Sequence, residues 1–114
     1  MNIKYQFISK PDDNTLRIIR GKMRPDQRKA MDELNDDSVG AVLLLQGSIP
    51  DMLYSADIAV KASDVGAYEI VGNCPQSFIT IGIMGKIRSV QTALKAILNE
   101  KDHPSREQVL AGIQ

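Results

Sequence analysis

Apolar and polar positions alternate at the start of the chain. Ile3, Tyr5 and Phe7 are separated by Lys4 and Gln6, which is the period of a half-buried strand over residues 3–9. Lys10-Pro11-Asp12-Asp13-Asn14 is turn chemistry. Leu16, Ile18 and Ile19 then centre a second short strand over residues 15–20. Pro25 and Asp26 open a helix to about Asn35 whose thin apolar face, Ala30, Met31 and Leu34, predicts a surface position. Residues 39–46 form the most apolar run and read as a central strand buried on both faces. Ser48 and Asp51 have the spacing of a capping box, starting a helix to about Ser63. Its small residues Ala56, Ala59, Val60 and Ser63 share one face and allow close approach to a neighbour.

Further strands are predicted over residues 65–71 and 78–84, the latter with Ile79, Ile81 and Ile83 alternating with Thr80 and Gly82. Between them lies the loop Gly72-Asn73-Cys74-Pro75-Gln76. The last long helix covers about residues 88–100, with Val90, Ala93, Leu94, Ile97 and Leu98 in the stripe of an amphipathic helix and no good N-cap at Lys86. Residues 101–114 read as a polar tail with at most one helical turn.

From residue 39 the order is strand, helix, strand, strand, helix. A ferredoxin-like βαββαβ unit needs one more strand, and none follows at the end. Residues 15–20 are the candidates for that slot. The fold class is therefore α/β in the α+β sense: a circularly permuted ferredoxin-like domain with an antiparallel sheet and helices. The expected organisation is an N-terminal strand segment over 1–13, the permuted domain over 14–100 and the tail over 101–114.

Composition narrows the function classes. The chain has 114 residues, 43% of them apolar and none of them Trp, so its core is built from Ile, Leu, Val, Ala and Met. The formal net charge is zero, which favours neither a nucleic-acid nor a membrane partner. The sequence shows no signal-peptide pattern and no run long enough to span a bilayer, so a cytoplasmic location is expected. The single cysteine agrees with a reducing compartment.

No catalytic constellation emerges, and an enzyme is not expected. The one histidine, His103, sits in the tail, where a solvated surface residue is the ordinary case. Asp12, Asp13, Asp36, Asp37 and Asp102 are in turn or cap positions. Asp57 and Lys61 have the i, i+4 spacing of a surface ion pair. Glu69 is unusual inside an apolar strand. That leaves Cys74. A lone free cysteine is most often a small buried hydrophobe. This one lies in a loop between Gly72 and Pro75, which constrain the backbone, and Pro follows a ligand cysteine in some ferredoxin motifs too. One thiolate does not hold an iron–sulfur cluster, which usually takes about four ligands. Copies converging on a cyclic symmetry axis could, with amides of Asn73 and Gln76 bonding the cluster sulfurs.

The stretch from Ser55 to Val65, the strand–loop–strand from Tyr68 to Gly85, and Ser89-Val90-Gln91-Thr92-Ala93-Leu94 resemble the shell proteins of bacterial microcompartments, the BMC-domain family. The N-terminal strands resemble its permuted subclass, which includes ethanolamine and propanediol shell proteins. The resemblance implies homohexameric tiles that pack with other shell proteins into the wall of a cytoplasmic protein organelle. It implies that Gly72, Asn73, Cys74, Pro75 and Gln76 line the central pore, that Lys61 meets a neighbouring hexamer, and that residues 3–9 can form a small barrel over the pore. The loop itself is similar to the Gly-X-Cys-Pro-Gln motif of iron–sulfur shell proteins from glycyl-radical, propanediol-utilization microcompartments. That likeness implies a 4Fe–4S cluster at the hexamer axis, metal-bound through Cys74 of several subunits and suited to electron transfer or cluster delivery. Two alternatives stay open: a plain tile with a metabolite pore and an incidental Cys74, and an unrelated small binding domain or thiol enzyme.

Overall fold

A computed structural model describes residues 1–33, 39–72 and 77–113. The elements are β1 (Ile3–Ser9), α1 (Asp13–Gly21), α2 (Pro25–Asp32), β2 (Ala41–Ser48), α3 (Ile49–Ala62), β3 (Gly66–Ile70), β4 (Phe78–Gly85), α4 (Ile87–Asp102) and α5 (Arg106–Ile113). The strands form one antiparallel sheet in the order β1-β2-β4-β3. This is a βαββαβ arrangement whose last strand has moved to the N-terminus. The permutation holds, but the strand that fills the slot is Ile3–Ser9 rather than residues 15–20. β1 pairs with β2 along its whole length, from Ile3↔Gly47 to Ser9↔Ala41.

Residues 15–20 are helical, and the reason is local. The Asp12 carboxylate accepts from Asn14 N at 2.9 Å, capping α1, and Asp13 places negative charge in its first turn. Leu16, Ile19 and Met23 then recur at helical spacing and face the sheet, whereas Ile18 is 55% exposed. The strand reading would have set Leu16 and Ile18 on one face.

Layers of helix cover both sheet faces. Ala41, Leu43 and Leu45 of β2 and Ile81 and Ile83 of β4 pack against Met52 and Ala59 of α3 and Val90, Ala93 and Ile97 of α4. On the other face, Val42, Met84, Tyr68 and Ile70 meet Ile19, Met23 and Met31. β2 is thus buried on both faces, as its unbroken apolar run predicts. At roughly 1.5–3 kcal/mol per fully buried large apolar side chain, these two clusters dominate the stability. Ile3 and Phe7 pack on the first cluster, while Tyr5 between them is 47% exposed.

Helix α2 is largely exposed, with Met31 its one buried residue; Leu34 and the predicted stop at residues 35–38 lie outside the described residues. Ser48 caps α3 as expected, accepting from Asp51 N at 3.2 Å. Among the described residues the reciprocal half of the box is not seen; the Asp51 carboxylate accepts from Asn2 N at 3.4 Å. The buried face of α3 is Met52, Ser55 and Ala59, with Val60 45% exposed, so the small-residue face is rotated from the expected one. Ser63 Oγ donates to the Ser89 carbonyl at 2.7 Å, fixing α3 to α4. The tail forms a two-turn helix rather than a single turn. Ser105 caps it by accepting from Gln108 N at 3.3 Å, and Pro104 stands outside the cap where its missing N–H does no harm.

Candidate functional site

The candidate loop joins β3 to β4, and the fold fixes both of its roots. Val71 N donates to the Lys22 carbonyl at 2.6 Å, tying the end of β3 to the corner between α1 and α2. The Ser77 carbonyl accepts from Ile49 N at 3.1 Å, tying the start of β4 to the first turn of α3. Strand register brings these roots together: Ile70 pairs with Thr80 on one side, and Ser48 pairs with Phe78 on the other. Gly72 is exposed and has no positive φ, so it does not turn the chain through the left-handed region. Asn73, Cys74, Pro75 and Gln76 lie outside the described residues.

Lys61 belongs to the far end of the same helix. Ile49 opens α3 at the loop root, and Lys61 is in its last turn, about 18 Å away at 1.5 Å per residue. Lys61 Nζ sits 2.8 Å from Asp57 Oδ2, with the lysine side chain 75% exposed. Its hydrogen bond to Asp57, and that carboxylate's charge, hold the ammonium above the usual lysine range. The pair predicted from i, i+4 spacing is therefore made, on a surface open to a neighbour. His103 is exposed and caps α4 through its backbone N–H on the Asn99 carbonyl.

Two features escaped the sequence reading. Tyr54 Oη donates to Glu100 Oε1 at 2.9 Å, and Ser105 N donates to the same oxygen at 2.9 Å, so one carboxylate holds α3, α4 and the cap of α5 together. The Ser105 amide, then the Tyr54 hydroxyl, hold Glu100 below the usual carboxylate range, and burial and Glu100 raise the Tyr54 phenol. The second feature is the basic corner Lys22-Met23-Arg24 beside Val71 and Gly72. Its signal was the density of cations from Arg17 to Lys29, which the strand reading of residues 15–20 obscured.

Among the described residues no group of three His, Cys, Asp or Glu side chains could hold a metal ion. One chain offers one thiol. A single chain thus does not fit a multi-ligand cluster, whereas several copies of a thiolate loop presented to an axis would, thiolate being the donor that iron–sulfur clusters take.

The sequence matches the BMC domain over residues 39–111, from the approach to β2 into α5. The chain belongs to the BMC-domain family. The match leaves out β1, α1 and α2, so the strand that completes this BMC sheet precedes the matched region. None of the curated proteins compared with the chain matches it. Among solved structures, the fold is similar to the ligand-free GrpU microcompartment shell protein from Pectobacterium wasabiae. The two share 26% identity over 82% of this chain and 98% of that one, with a TM-score of 0.66. The GrpU shell protein from Clostridiales bacterium 1_7_47FAA shares the fold at a TM-score of 0.59 and 24% identity, over 86% and 94% of the two chains. BMC-domain shell proteins are structural components, and this chain is a microcompartment shell protein by family and fold. No helix among the described residues is long and apolar enough to cross a membrane.

Proposed function

We propose that this shell protein forms hexameric tiles in the wall of a cytoplasmic microcompartment, and that Cys74 of several subunits binds a 4Fe–4S cluster at the central pore. The role is structural and redox-active rather than enzymatic, moving electrons across the shell or delivering a cluster. The observation that carries the reading is the chain's only cysteine, placed in a Gly-X-Cys-Pro-Gln loop between the paired strands of a BMC domain. Both roots of that loop are hydrogen-bonded to helical elements, so each subunit presents the loop from a fixed base. The wider likeness of the motif suggests a glycyl-radical, propanediol-type compartment. Lys61, on the exposed end of α3, supports the contact between neighbouring tiles. When bound, such a cluster supplies one-electron transfer. The chain's own contribution is the Cys74 thiolate and the two hydrogen-bonded roots of its loop.

The test is anaerobic purification followed by iron and sulfide analysis, visible absorption and electron paramagnetic resonance. Wild type should carry iron with a cluster signal after reduction, and Cys74→Ser should lose both while keeping its oligomeric state. Identical iron content in the two proteins would sink the cluster and leave a plain tile whose pore passes metabolites.

A further inference from the structure

The corner between α1 and α2 forms an open groove of about 420 Å³ against the end of β3, lined by Gly21, Lys22, Met23, Arg24, Val71 and Gly72. Lys22 and Arg24 are exposed, and among the described residues neither has a carboxylate within ion-pair distance. Arg20, two residues earlier, is by contrast taken up by Asp32. The first turn of α2 also opens here, with Pro25 at its start, and adds the positive end of a helix dipole. The nearest acid along the chain, Asp26, does not line the groove and accepts from Gln27 Nε2 at 3.3 Å.

The walls are already in place without a ligand. Met23 is 3% exposed and anchors the corner in the core. Met23 N donates to the Arg20 carbonyl at 3.1 Å, Arg28 Nη1 donates to the Met23 carbonyl at 2.6 Å, and Val71 N closes the far side on the Lys22 carbonyl. Two cations with no ion-pair partner among the described residues, on a preformed concave surface, are the chemistry of an anion site.

We propose that this groove binds a small phosphate-bearing anion, held by Lys22 and Arg24 at the root of the Gly72–Gln76 loop. A guanidinium donates two parallel bonds to two oxygens of one phosphate, and an ammonium adds a point charge beside it. A dianion matches both cations, whereas a halide uses neither the fork nor the second charge. The site stands on described residues and does not involve Cys74. Its place beside a pore rests on the shell reading.

The experiment follows inorganic phosphate by phosphorus NMR line width against increasing protein at constant ionic strength, for wild type, Lys22→Gln/Arg24→Gln and Cys74→Ser. Circular dichroism verifies that each variant is folded. Wild type should bind saturably, the double variant roughly tenfold more weakly, and Cys74→Ser as wild type does. The absence of saturable binding by wild type, or equal binding by the double variant, would overturn the site. Loss of binding in Cys74→Ser would overturn it too, because the anion would then belong to the loop, whatever the iron content of that protein shows about the cluster.

Discussion

Gly66 offers the sharpest test of the packing that leads into the loop. It opens β3, and Tyr68, two residues on, lies on the same face of the strand. The Tyr68 ring runs back along the strand and covers Gly66. A Cβ added at Gly66 would lie 2.0 Å from Tyr68 Oη, 2.6 Å from Cζ and 2.8 Å from Cε2. Tyr68 is only 5% exposed, among Ile70, Met84 and Met31, so the ring has little room to retreat. Overpacking of this kind costs about 1–3 kcal/mol. Against it stands a gain of about 0.4–1 kcal/mol from the lower unfolded-chain entropy of alanine. The clash wins, and Gly66→Ala should destabilise by roughly 0.5–2 kcal/mol. Gly21→Ala is the control, since nothing lies within 4 Å of its Cβ position and its φ is not positive. It should stabilise by about 0.4–1 kcal/mol. The assay is urea unfolding at one fixed protein concentration, because oligomer stability depends on concentration. With a slope of about 1–3 kcal/mol per molar, the Gly66→Ala midpoint should fall by roughly 0.2–2 M. Tyr68→Leu removes the atoms in conflict, so Gly66→Ala should be neutral or stabilising in that background. An undiminished penalty there, or a Gly66→Ala midpoint at or above wild type, would refute the reasoning.

Two further outcomes follow from named contacts. Because hydrogen bonds from Ser105 N and Tyr54 depress the Glu100 carboxyl, its hold on α5 is present above the ordinary glutamate value of about 4.3 and is lost as pH falls through the lowered folded value. Tyr54→Phe should move the Glu100 carbon-13 titration upward and release the Ser105 amide at a higher pH; an unchanged titration would remove Tyr54 from the clamp. If Lys61 meets a neighbouring tile as proposed, Lys61→Ala should abolish the assembly of tiles into sheets in electron micrographs; its unfolding midpoint should change little, since the lysine is exposed and its ion pair is a surface one. Asp57→Ala should still form sheets, and loss of sheets in Asp57→Ala with normal assembly of Lys61→Ala would reverse the assignment.

The antiparallel sheet core was legible because its patterns are unambiguous. The run from Ala41 to Leu45 has no polar interruption, and Ile79, Ile81 and Ile83 alternate strictly, so β2 and β4 announce themselves. Residues 15–20 misled because Ile18 and Ile19 favour strands, while the decisive signals, Asp12 as cap and Met23 a helical turn beyond Ile19, lie outside that window. The tail misled for a similar reason: the cap of α5 rests on Ser105, reinforced by the Glu100 carboxylate five residues upstream. No local pattern shows such a partner, nor does any show that Lys22 of one helix and Gly72 after a strand share a groove.

The same asymmetry explains what the N-terminal segment is for. The family match begins at residue 39, yet the residues before it are not appended to a finished domain. Ile3–Ser9 is the fourth strand of the sheet, and Ile19, Met23 and Met31 are the helical half of one of its two cores. The Lys22 carbonyl holds one root of the cysteine loop, and the matched region holds the other through Ile49 and Ser77. Moving the last strand to the front brings the chain across the sheet before β2, which lets α1 and α2 reach the loop root. The two roots of the loop are thus held by both segments of the chain. Met23, buried at that corner, ties the Lys22 root to the core that the helices before β2 share with the sheet.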